Sequence, residues 1–375
     1  MAVTSKGTAA GLVDWRTVER LTALIPAGPS ASRSARASSV AVLRRSALEA
    51  PAWVARITGL NRAAQQVAET TRVSVVDRAG LVRVSTRALR GLMEQVPAPQ
   101  ASEAVRLVGA AEMAGAMSLL ATRLLGQVVP AAGTGGDGDG GRGGEASPHL
   151  LLVAPNVLAM RRQLDLDMLD LPAWVCLHEM THAVQLAAAP WLGPYLSDSM
   201  RMVIGAVVEA VYGGPGGGAD GTGEQGLRRR PGRAARIAAR AGRGRVLEGL
   251  TNFKERSEVA SLAAALTFLE GHAEVVLDDV HPNRMPSVHR LRAVLSRSRA
   301  ADAGIGPGPG LGSLLLHRLM GLEAKEAQYA DGTAFVRSVV ARIGHEGLNV
   351  VWTDPALLPT PAEIARPDVW VRRVG

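Results

Sequence analysis

The stretch Leu177–Leu186, "LHEMTHAVQL", decides how this chain is read. It sets His178, Glu179 and His182 in an otherwise apolar run, where polar groups are costly to bury unless something binds them. Residues four apart lie on one face of a helix, so the two histidines leave it together. Their ring nitrogens can then reach a single zinc ion, with Glu179 placed as general base towards a water that the metal activates. Pro172 suits the first turn of this helix, where its missing N–H would be unpaired anyway. Cys176 leaves the helix on a different face from His178 and reads as a core thiol rather than a ligand.

A hydrolytic zinc site takes three protein ligands and keeps one position open. The third is expected in "TFLEGHAEVVLDDV", residues 267–280. Glu270 and Glu274 share a helical face there, and Asp278 follows one turn on. Glu270 is the ligand of choice. Glu274 is placed behind it, orienting a ligand histidine through its other ring nitrogen. Glu274 and His272 stay open as alternative ligands, and Asp278 as an outer residue. The Glu-Gly-His pattern resembles the third-ligand helix of the gluzincin aminopeptidases, in which the Glu before Gly binds zinc. Gly271 is expected to let this helix approach the HExxH helix closely. A developing oxyanion needs a hydrogen-bond donor. Tyr329, in "KEAQYADG", is the first choice, with His289 and His317 as alternatives.

Around these motifs, composition points to helix. The 375 residues are 47% hydrophobic but only 3% aromatic, rich in the helix formers Ala, Leu and Arg and thin in strand formers. The expected class is mainly α, a gluzincin-like metallopeptidase fold with few short strands. A single cysteine excludes an internal disulfide and fits a reducing compartment. The first residues lack a charged-then-apolar leader pattern. No stretch is expected to span a membrane, the nearest being residues 107–122. Together these readings place the protein in the cytoplasm.

The net charge of +8 is unevenly spread. Residues 213–245 hold eight Arg against Asp220 and Glu224, so that segment alone carries +6. Basic residues set in Gly and Pro without aromatics read as a solvated insert, and nucleic-acid binding is disfavoured. A second Gly-rich segment covers 131–148 and reads as a flexible loop. The two segments divide the chain into blocks at 12–130, 149–212 and 246–375, and the last two must pack together to assemble the site. Helical patterns run over 17–25, 36–55, 62–70, 86–95 and 102–128. "RVSVVD" (72–77) alternates as a strand does, and "HLLLVAPN" (149–156) reads as a buried strand, with a helix opening after Asn156. Pro clusters near the end mark loops and a last short helix.

Taken together, the motifs resemble the zincin-like type 2 metallopeptidases, a family associated with deazaflavin coenzyme biosynthesis. The likeness runs through "VDW" (13–15), "ITGL" (57–60), "VVDRAGLVR" (75–83), "LLLVAPN" (150–156) and "WVCLHEMTHAVQLAAAPWL" (174–192). It continues in "LEGHAEVVLD" (269–278), "KEAQYADGTAFVRSVV" (325–340) and "WTDPALLPTPAEIARPDVWV" (352–371). The chain departs from the family pattern at its two Gly-rich segments. The resemblance implies a mostly helical gluzincin-like fold, a zinc site of His178, His182 and Glu270, and a hydrolase activity, but it supplies no substrate; the leading reading is a peptidase acting on a peptide or amide. Two other readings stand beside the peptidase: a zinc amidohydrolase on a small molecule of a coenzyme pathway, and a scaffold whose zinc is not catalytic.

Overall fold

The computed structural model describes residues 7–129, 148–166, 168–212, 253–300 and 326–375. The Gly-rich segment, apart from Pro148, and the whole basic insert lie outside the described residues. In chain order the elements are β1 (Gly7–Thr8), α1 (Trp15–Thr22), α2 (Arg33–Thr58), α3 (Asn61–Thr70), β2 (Arg72–Val76), α4 (Arg78–Glu94), β3 (Pro97–Ala98), α5 (Glu103–Arg123), β4 (Gly126–Val129) and β5 (His149–Val153). Then come α6 (Ala154–Gln163), α7 (Asp170–Ala188), α8 (Leu192–Tyr212), α9 (Phe253–Asp278), α10 (Val288–Ala300), α11 (Glu326–Leu348), α12 (Pro361–Ile364) and α13 (Pro367–Val374). Helix dominates and the strands are few and short, as composition implies.

Strand β5 shows how the layers form. Its residues Leu150 to Val153 are all apolar, and successive side chains leave opposite faces of a strand. Leu150 and Leu152 enter the core formed with α2, α3, α7 and α9. Leu151 and Val153 enter a second core with α1, α4 and α5. The strand is central in a three-stranded sheet of order β2-β5-β4, parallel to β2 and antiparallel to β4. A buried apolar strand covered on both faces needs no polar alternation, which is why "LLLV" lacks one.

Helix α6 begins at Ala154 rather than after Asn156. Pro155 fits an early helical position, and the Asn156 amide donates to the Ala121 and Leu124 carbonyls, tying the turn to the end of α5. Strand β4 was not expected: the helical pattern over 102–128 stops at Arg123, and Gly126–Val129 pair with β5 instead.

Helix α7 is buried over most of its length, from Asp170 to Gln185. It packs against α2, α3 and α9, so its sequence has no broad polar face. The Asp170 carboxylate accepts the Ser287 N–H at 2.6 Å, which ties the start of α7 to the approach to α10. A third core wraps α9 with the C-terminal elements, where Phe268 meets Phe335 at 6.1 Å and Phe335 meets Trp370 at 5.8 Å between ring centroids. Helix α11 breaks at Gly344, whose φ of 70° is open to glycine at little cost. By length and composition alone, Glu103–Arg123 and Ser257–Asp278 are apolar enough to cross a membrane, a wider set than the sequence suggested. The second of these lies largely inside the fold and carries Glu270.

Candidate metal centre

Helices α7 and α9 cross so that His178, His182 and Glu270 meet. The two Nε2 atoms lie 3.3 Å apart. Glu270 presents Oε2 to His178 Nε2 at 3.4 Å and Oε1 to His182 Nε2 at 3.6 Å. A tetrahedral zinc with bonds of about 2.0–2.1 Å would hold its donors about 3.3 Å from one another. Two nitrogens and a carboxylate at this spacing, in a largely buried setting, therefore fit zinc as a donor set.

The flanking residues separate the sequence-derived alternatives. Glu274 lies on the other side of the His178 ring, with Oε1 3.8 Å from Nδ1. His272 is fully buried and turned away from the cluster. Its Nδ1 meets the Gln185 amide at 3.0 Å, and its ring packs near Phe268 and Trp352. Asp278 pairs with Arg292 and Arg337 instead of joining the histidines. Gly271 does permit a close helix approach, but the neighbour is Gly332 of α11 rather than α7. A Cβ on Gly271 would run into the Gly332 carbonyl, and one on Gly332 into the Thr267 carbonyl. Cys176 is buried, with Sγ 3.5 Å from the Leu43 carbonyl and its thiol pKa pushed up by burial. His289 is exposed on α10, away from a buried site. Tyr329 falls in α11, but its side chain lies outside the described residues, as does all of His317.

Glu179 is held against strand β4. A Cβ on Gly126 would come within 2.7 Å of Glu179 Cγ, so only glycine leaves room for the carboxylate there. Burial raises the Glu179 pKa, opposed by His178, His182 and a hydrogen bond from the Val128 backbone. Burial alone would also raise Glu270, but the two histidines outweigh it and hold the carboxyl well below its ordinary range. The reverse balance acts on His182: burial lowers its pKa, while Glu270, then Glu179 and Gln185, bring it up to about 9. His272, buried near other imidazoles, is lowered to about 3.

Three residues at this site were not singled out from sequence: Gly126, Val128 and Gln185. Gln185 sits three residues after His182, a spacing that places it beside that ring on the helix, so a signal was present. The roles of Gly126 and Val128 depend on the pairing of β4 with β5 and had no local signal.

A mainly helical fold that brings two histidines and a glutamate together, beside the Glu of an HExxH helix, is the arrangement of a zincin-type hydrolase. The chain belongs to the zincin-like metallopeptidase family, whose model matches residues 13–371. A crystal structure of a candidate hydrolase with a novel fold, from Chloroflexus aurantiacus, is similar at a TM-score of 0.58 and 20% identity, covering 96% of this chain and 98% of the other. At that identity the likeness is one of fold. No curated protein matches the chain.

Proposed function

We propose that this protein is a zinc-dependent peptidase in which His178, His182 and Glu270 hold the metal and Glu179 is the general base. The observation that carries this reading is the convergence of both Nε2 atoms and the Glu270 carboxylate, with Glu179 buried beside them. When bound, zinc would polarise the scissile carbonyl and acidify the attacking water. Glu179 would take a proton from the attacking water at its carboxylate and pass it to the leaving amine. Burial raises its pKa above that of an exposed carboxyl, which makes it a stronger base towards the water and leaves it able to hand the proton on. The Val128 N–H and the absence of a side chain at Gly126 keep the carboxylate in place. Tyr329 is kept as the proposed oxyanion donor on the sequence pattern alone, its side chain lying outside the described residues.

A peptide is favoured over a small amide by the metallopeptidase family to which the chain belongs. The test is Glu179→Gln, assayed with a mixed peptide library read by mass spectrometry. The variant should bind zinc as the parent does and lose about 100-fold or more in turnover. Unchanged cleavage by the variant would remove Glu179 from the role of base.

A further inference from the structure

We infer that Gln185 is a positioning residue that keeps His182 in its Nδ1–H form, so that the Nε2 lone pair is the one offered to the metal. The inference rests on reading His178, His182 and Glu270 as a zinc site. Gln185 is almost fully buried, and its Nε2 lies 2.9 Å from the Leu269 carbonyl. A carbonyl only accepts, so the amide must turn its NH2 that way. The same NH2 reaches His272 Nδ1 at 3.0 Å. The amide oxygen is thereby left to face His182 Nδ1 at 2.9 Å, and an oxygen without hydrogen only accepts. The hydrogen of that bond must come from His182 Nδ1.

Two further contacts fix the amide itself. Leu269 immediately precedes Glu270, so one side chain ties the ring of His182 to the backbone that carries the third candidate ligand. His272 is held by the rings of Phe268 at 6.4 Å and Trp352 at 5.3 Å, which keeps its Nδ1 on Gln185. Accepting at Nδ1 leaves the His272 hydrogen on Nε2, an atom that is buried without a hydrogen-bond partner. His272 therefore acts through Gln185 and not as a ligand. Outer partners of this kind raise metal affinity by fixing ring orientation and tautomer.

The experiment uses the full chain with 15N-labelled histidine, together with zinc titrations against a competing chelator. In metal-free protein, above the pH at which His182 gives up its second proton, long-range 15N–1H spectra should show His182 protonated at Nδ1 and bare at Nε2. Gln185→Met, which removes both donor and acceptor, should weaken zinc binding by about 10- to 100-fold and raise the Nε2–H form. Gln185→Glu keeps an acceptor for His182 while losing both donors. It should retain zinc affinity within about threefold even if it unfolds at a lower temperature. A purely structural role would instead make both variants lose zinc in step with their loss of thermal stability, and that result overturns the inference. So does an Nε2–H form of His182 in the parent. A parent that takes up no zinc would refute the metal site, while the tautomer spectrum would still decide the role of Gln185.

Discussion

The two imidazoles at the centre of this site are held in different ways. His178 is 1% exposed and its Nδ1 has no hydrogen bond, the nearest carboxylate oxygen being that of Glu274 at 3.8 Å. The ring sits in the buried run of α7, and its polar contacts are made through Nε2, towards His182 and Glu270. His182 has a side chain that is 18% exposed, and it is oriented by a 2.9 Å bond to an amide anchored on α9. At Nδ1, one ring is enclosed without a hydrogen bond, and the other is held by a chain of hydrogen bonds that crosses between helices. The site is thus symmetric in its donors and asymmetric in its support, and the two supports should fail differently.

The largest effect is expected from removing the donors themselves. His178→Ala or His182→Ala should each weaken zinc binding by more than the roughly 100-fold seen for outer-shell changes. Metal content after dialysis against a chelator reads this directly. A variant that still retains zinc at the parent's level would show that its ring is not part of the set.

Next comes the pH dependence, which belongs to the hydrogen-bonded ring. In metal-free protein the His182 pKa is raised to about 9 by Glu270 against the effect of burial. Below that pH the ring carries an extra proton, which zinc must displace, so affinity rises with pH and levels off above it. One proton released gives about tenfold per pH unit between 7 and 9. Calorimetry in buffers of different ionisation enthalpy counts that proton. Affinity that is flat between pH 7 and 9 would mean that His182 is already neutral.

Much of this asymmetry was hidden from sequence for a physical reason. The spacing of His178, Glu179 and His182 is local, and helical geometry alone puts the histidines on one face. Strands β2 and β5 were legible through alternation and an unbroken apolar run. Strand β4 was not, because "GQVV" follows a long helical pattern and becomes a strand only by pairing with β5. Glu270, Glu274 and Asp278 look like one stripe in the sequence. Eight residues at 3.6 per turn, however, leave Asp278 rotated about 80° from Glu270, which brings it to Arg292 and Arg337. The partner of Gly271 depends on where α11 crosses, and no local signal reports that. Gln185 was near enough to be noticed, but the Leu269 carbonyl that orients it lies 84 residues along the chain.

The smallest effect is expected at Glu274, and it decides whether the asymmetry is real. At 3.8 Å its carboxylate is beyond hydrogen-bond reach of His178 Nδ1, and the side chain is 17% exposed, where solvent weakens the attraction. Glu274→Gln keeps the shape and removes the charge. Zinc affinity should fall by no more than about threefold, well short of the roughly 10- to 100-fold loss expected for Gln185→Met. The two losses need to be measured at one pH, since the His182 proton shifts both baselines together. Equal losses would mean that the carboxylate closes on His178 once the metal is bound, giving both rings a hydrogen-bonded outer partner. The contrast between a ring with a bare Nδ1 and a ring with a hydrogen-bonded one would then describe only the metal-free protein.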